Sequence, residues 1–100
     1  MAPLNSSQRK QLRAMAHHLD PVILVGKQGV TDMLVRAASE ALEDHELVKV
    51  KFNEFKGEKK ALVAEIVRRT ASEQVGLVGH VAILYRRQPD DEKRKIHLEG

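Results

Sequence analysis

The stretch Val22-Ile23-Leu24-Val25-Gly26-Lys27-Gln28-Gly29-Val30-Thr31-Asp32 decides the fold. Its first four residues form an unbroken apolar, β-favouring run, which predicts a short strand covered on both faces, as in parallel sheets. Two glycines then bracket a short loop. Thr31 offers a helix cap, and the Asp32 carboxylate suits the positive end of a helix dipole. The helix that follows runs from about Asp32 to His45, with Leu34, Ala37, Ala38, Ala41 and Leu42 on one face. Strand, loop and helix in this order open a strand–helix–strand crossover, whose closing strand is Leu47 to Phe52. There Val48, Val50 and Phe52 alternate with Lys49 and Lys51, so one face is apolar and the other wet and basic. Such crossovers pair their strands in parallel with a right-handed connection.

Working upstream, Asn5, Ser6 and Ser7 can cap a helix reaching about His18, with Leu12, Met15, Ala16 and Leu19 as its buried stripe. Arg9, Lys10 and Arg13 lie off that stripe. Asp20-Pro21 stops the helix, because the proline ring disfavours a helical conformation at the preceding residue. Downstream, Asn53 to Glu58 is a loop containing Gly57, and Lys59 to Ala71 is a third helix with Leu62, Val63, Ile66 and Val67 inward. Val75 to Val78 and His80 to Arg86 are two strands reversing at Gly79, and so antiparallel. Gln88-Pro89-Asp90-Asp91 breaks structure, and the charged residues beyond it read as a mobile tail. The order α-β-α-β-α-β-β predicts a compact single α/β domain: a four-stranded mixed sheet packed by three helices.

A chain of 100 residues fits one domain, and 42% apolar content fits a globular one. With no cysteine, disulfides and thiolate zinc sites are excluded. That composition suits a reducing cytoplasm. Met1 to Ser7 carries no apolar signal core, and the longest apolar runs are too short to span a bilayer. The expectation is a cytoplasmic monomer without a membrane partner.

Net charge is only +3, but it is uneven. Residues 37–46 carry four acids (Glu40, Glu43, Asp44, Glu46) and no base, whereas residues 47–87 carry nine bases against four acids. A basic face with an acidic patch elsewhere suits a polyanionic partner, and a solvated surface of mixed charge fits equally well. Catalytic patterns are missing. There is no G-x-S-x-G, no H-E-x-x-H and no cysteine nucleophile, and His17 and His18 project about 100° apart on a helix. Glu40, Glu43, Asp44 and Glu46 read as a solvated helix end. No enzymatic activity, cofactor, metal or small-molecule substrate is expected.

Gly26-Lys27-Gln28-Gly29 is the leading candidate site. Glycines let backbone amides approach an anion, a helix N-terminus adds unpaired N–H groups, and Lys27 adds a full charge. A four-residue G-x-x-G is also an ordinary turn in which glycine permits positive φ, so on loop chemistry alone both readings stand. With only Phe52, Phe55 and Tyr85 as aromatics, a base-stacking platform is hardly available, and a nucleic acid would be held mainly by its backbone.

Three blocks narrow the choice: Val25-Gly26-Lys27-Gln28-Gly29-Val30-Thr31, then His45-Glu46-Leu47-Val48-Lys49-Val50-Lys51, then Gly79-His80-Val81-Ala82-Ile83-Leu84-Tyr85-Arg86. Together they resemble the signature blocks of the CRM (chloroplast RNA splicing and ribosome maturation) domain family, and the chain is similar to its stand-alone bacterial YhbY-like members. The resemblance spans residues 4–97 and leaves 98–100 as a tail. It implies a fold similar to the C-terminal domain of a bacterial translation initiation factor, and a GxxG loop resembling the one with which KH domains clamp a nucleic-acid backbone. It also implies a partner: ribosomal RNA in precursors of the large (50S) ribosomal subunit. Plant members use the domain in intron splicing. Carried onto this chain, the RNA-contacting loop is Gly26, Lys27, Gln28 and Gly29. The basic residues Arg9, Lys10, Arg13, Lys49, Lys51, Arg68 and Arg86 are candidates to widen the footprint. Two other expectations stand beside it. One is a protein-interaction module of the translation machinery that docks through the acidic helix end and an apolar sheet edge. The other is a non-specific RNA chaperone.

Overall fold

The computed structural model describes residues 3–99. Helix α1 spans Ser6–Ala16, strand β1 Ile23–Val25, helix α2 Asp32–His45 and strand β2 Leu47–Phe52. A single 3-10 turn at Lys56–Glu58 leads into α3 (Lys59–Thr70), and the hairpin β3 (Glu73–Val78) and β4 (Val81–Tyr85) closes the sheet. These elements match the order read from the sequence. The strands lie in the order β1-β2-β4-β3. β1 and β2 pair in parallel, as the crossover requires, while β4 pairs antiparallel with both β2 and β3. β2 and β3 therefore run parallel with β4 inserted between them.

Local chemistry accounts for the boundaries. Asn5 and Gln8 form a reciprocal capping box, each side chain accepting the other's backbone N–H, which satisfies two of the free amides at the start of α1. The Thr31 side chain accepts from Leu34 N at 3.0 Å and starts α2. Gly79 (φ 59) takes the first of two reversal positions between β3 and β4, where positive φ lets the turn follow the strand twist.

One face of the sheet buries Ile23, Val25, Val48, Val50, Phe52, Ala82 and Leu84 against Ala38 and Leu42 of α2 and Val63 and Ile66 of α3. On the other face Leu47, Val75, Ile83 and Tyr85 meet Leu12 and Ala16 of α1. Val75 reaches this side because the β3–β4 register shifts between Gln74 and Gly76, a bulge that re-aims one side chain.

Four expectations need correction. Val22 to Val25 is not covered on both faces: β1 is an edge strand, with Val22 54% and Leu24 55% exposed, because α1 covers only the β2–β4–β3 part of that face. Met15 and Leu19 are exposed for the same reason, and α1 stops at Ala16. The charged residues beyond Asp91 are not a loose tail. Ile96 and Leu98 pack on the α1 side of the core, Arg94 donates to the Gln88 carbonyl, and the Glu99 amide donates to the Gln11 side chain.

Glu46 holds that strap and is no part of a solvated helix end. It is 1% exposed, with the left-handed φ of 64 that ends α2. Its Oε1 accepts from Lys95 N (2.6 Å) and Ile96 N (3.0 Å), and its Oε2 from Gln88 N (3.1 Å). A buried carboxylate is tolerated when its lone pairs are filled in this way. Burial pushes the Tyr85 phenol above its usual pKa, and the Glu46 charge adds to that push.

Candidate nucleic-acid interface

Val25 pairs with Phe52 and Lys51 with Val81, so the loop after β1, the loop after β2 and the β3–β4 reversal share one end of the sheet. Hydrogen bonds tie them together. The Val25 carbonyl accepts from Asn53 N and Glu54 N, Phe52 N donates to the His80 carbonyl, and Lys59 Nζ donates to the Gly79 carbonyl at 2.7 Å. Lys59 Nζ also lies 3.0 Å from His80 Nδ1. Desolvation, then the charges of Lys59 and Lys56, hold the His80 imidazole below its usual pKa.

Within the loop, Gly29 N donates to the Gly26 carbonyl at 3.0 Å, closing a tight turn. The Thr31 side chain and carbonyl take the amides of Leu34 and Val35. Among the described residues, no protein acceptor takes the amides of Lys27, Gln28 and Val30, or those of Asp32 and Met33 in the first turn of α2. These amides, at the positive end of a 14-residue helix, suit an anion. Asp32 opposes that, but its carboxylate is ion-paired with Arg69. The two glycines differ. Gly29 has φ 72, a conformation L side chains rarely adopt, whereas a Cβ at Gly26 would meet nothing within 4 Å.

The candidate cations separate into two groups. Lys27 and Lys51 are exposed at the loop end, and so is Lys56, a residue outside the sequence-based set. Among the described residues none of the three has a carboxylate within ion-pair distance. Lys49 sits next along the same face, with Nζ donating to the Leu19 carbonyl. Lys10 and Arg68 are exposed, on α1 and at the end of α3.

The other arginines hold the fold together. Arg9 joins α1 to β3 by pairing with Glu73 and donating to the Gln74 carbonyl. Arg13 donates to the Val75 carbonyl and lies over Gly76, where a Cβ would stand 3.1 Å from Arg13 Cδ. Arg86 donates to Ser39 Oγ, the Ser39 carbonyl and the Thr70 carbonyl, clamping α2 to α3 at the far end of the sheet. Sequence reasoning also passed over Phe55, whose exposed ring lies on Gly29. Its signal was available: an aromatic inside the polar run Asn53-Glu54-Phe55-Lys56-Gly57 is out of place unless something packs on it.

Among the described residues no group of three or more His, Asp or Glu side chains forms a metal-binding cluster. Among the same residues no helix is long and apolar enough to cross a membrane.

Comparison with known proteins gives the family and the fold. The CRS1 / YhbY (CRM) domain model matches residues 4–86. A Haemophilus influenzae protein named RNA-binding protein is 39% identical over 99 residues, covering 98% of this chain and 97% of its own. A Bacillus subtilis protein named as a probable RNA-binding protein is 37% identical, covering 93% of this chain and 98% of its own. A Staphylococcus aureus protein, described with its solution structure as a candidate RNA-binding protein, superposes with a TM-score of 0.76 at 30% identity, over 95% of this chain and all of its own.

Proposed function

This chain belongs to the CRS1 / YhbY (CRM) domain family, and from that premise we propose that it is a non-catalytic RNA-binding protein acting on ribosomal RNA in large-subunit precursors. The observation that carries the binding mode is the loop end of the sheet, where the amides of Lys27, Gln28, Val30, Asp32 and Met33 and the side chains of Lys27, Lys51 and Lys56 have, among the described residues, no acceptor and no paired carboxylate. Phosphates bind the amides and the helix start, and the lysines widen the footprint along the backbone. RNA binding is the activity for which its relatives are named. The ribosomal target follows from the resemblance of the three sequence blocks to the bacterial members of the family. A cytoplasmic location goes with that target.

The test is a fluorescence titration with ribosomal RNA fragments across a salt series. Lys27→Ala lowers affinity and reduces the slope of log K against log salt by about one unit, the contribution of one phosphate contact. Unchanged affinity and slope exclude the loop. Equal affinity for random and ribosomal RNA points instead to a non-specific RNA chaperone.

One observation favours a second reading, protein docking. Leu24 on the edge strand, Val22 just before it, Val78 at the hairpin, Met15 on α1 and Leu19 beyond α1 leave apolar surface uncovered. Association with large-subunit precursors that survives nuclease removal of exposed RNA supports that reading over the first.

A further inference from the structure

The RNA-binding reading accounts for phosphates but not for Phe55. Of the three aromatic rings, Phe52 and Tyr85 are buried in the core, and Phe55 is 42% exposed. Its backbone is fixed in a left-handed conformation, φ 57, with its carbonyl accepting from Glu58 N and the two residues before it bonded to the Val25 carbonyl. A Cβ at Gly29 would lie 3.5 Å from Phe55 Cε2 and 3.8 Å from Cζ, so the ring stands in contact range of the glycine that closes the loop. Lys56 follows it directly, and Lys27 lies in the loop it touches.

We propose that Phe55 forms a nucleobase subsite: an unpaired base of single-stranded RNA stacks on its exposed ring while the neighbouring phosphate is held by the Gly26–Gly29 loop. The inference rests on the RNA-binding reading. A base hangs from its phosphate through a single sugar, so a phosphate on the loop amides brings a base within reach of a ring resting on Gly29. The surrounding lysines suit the polyanion, and among the described residues no carboxylate lies within ion-pair distance of Lys27 or Lys56. Every base has a π-face, so one ring gives stacking without strong sequence choice. A single ring also fits a protein otherwise poor in aromatics: it accommodates one base, not a run of them.

The experiment compares a fluorescein-labelled single-stranded RNA oligonucleotide with an abasic strand of the same length, binding to the full chain. Phe55→Ala weakens the base-bearing strand roughly tenfold, within the range for one stacked base, and leaves the abasic strand and the salt slope unchanged. Phe55→Trp, in a chain with no other tryptophan, retains affinity, and its emission is quenched by the base-bearing strand but not by the abasic one. Equal weakening of both strands by Phe55→Ala, or no weakening of either, overturns the subsite, as does an unquenched Trp at saturation. Failure of the unaltered protein to bind either strand also overturns the subsite, whereas failure to bind ribosomal RNA fragments overturns the RNA-binding reading itself. Retention of tight abasic binding with no effect at Phe55 removes the subsite alone.

Discussion

The two ends of the sheet handle charge in opposite ways. At the far end, Glu46 accepts three backbone amides and Arg86 donates to two helices, so both charges are filled from within the protein. At the loop end, Lys27, Lys51 and Lys56 face solvent beside amides for which no described residue supplies an acceptor. A charge whose partners are all internal stabilises the fold, whereas a cluster of like charge lacking them repels itself and gains only when an anion arrives. The difference teaches that net charge is a poor guide to a binding face. What matters is which charges the fold leaves unmatched.

The largest effect that would sharpen this contrast lies at Glu46. Glu46→Ala leaves three amides without their acceptor and costs about 3 kcal/mol of stability, since hydrogen bonds to charged groups contribute roughly 1.5–3 kcal/mol each and do not add fully. Urea unfolding measures it, and RNA affinity of the folded variant stays within twofold of the parent. Equal loss of RNA affinity in fully folded Glu46→Ala would break the division between the ends.

A smaller effect separates the two glycines of the loop. Gly29→Ala forces an L side chain to φ 72 and destabilises by about 1 kcal/mol. Gly26→Ala meets no neighbour and leaves thermal stability unchanged. Any RNA affinity lost in Gly26→Ala therefore reports the close approach of the ligand to the backbone and not a damaged fold. Parallel melting curves and RNA titrations of the two variants decide it.

The smallest effect is at His80. Its midpoint lies below 6.5, because the imidazolium is disfavoured by desolvation and by Lys59 and Lys56. The sign follows: the folded protein takes up this proton at lower pH than the unfolded chain, so the shift trims stability as pH falls below 6.5, while protonation adds a cation for RNA. Bound RNA neutralises the lysines and raises the midpoint. Following the His80 ring proton by NMR through a pH titration, with and without RNA, tests this. A midpoint unmoved by RNA places the ligand elsewhere.

Much of the fold was legible because its signals are local. The run from Val22 to Asp32 contains the strand, the turn glycine and the helix cap, and the alternation from Leu47 to Phe52 marks the buried face of β2. What was not legible depends on distant partners. Glu46 looks like its acidic neighbours until residues 88–96 fold back onto it. Arg86 and Lys27 are both cations in a basic chain, and only the packing of Ser39 and Thr70 distinguishes them. The apolar run at Val22 to Val25 does not say how far α1 reaches, so the exposure of Leu24 had no local signature. Phe55 acquires meaning only beside Gly29, a contact across 26 positions of sequence.

The most direct test of the division between the ends is an amide chemical-shift map of the 15N-labelled protein titrated with a ribosomal RNA fragment. RNA held at the loop end shifts or broadens the amides of residues 26–33, 51–56 and 79–80 and leaves Glu46, Gln88 and Ile96 in place. Perturbations confined to the strap and to α1, with residues 26–33 unmoved, contradict it.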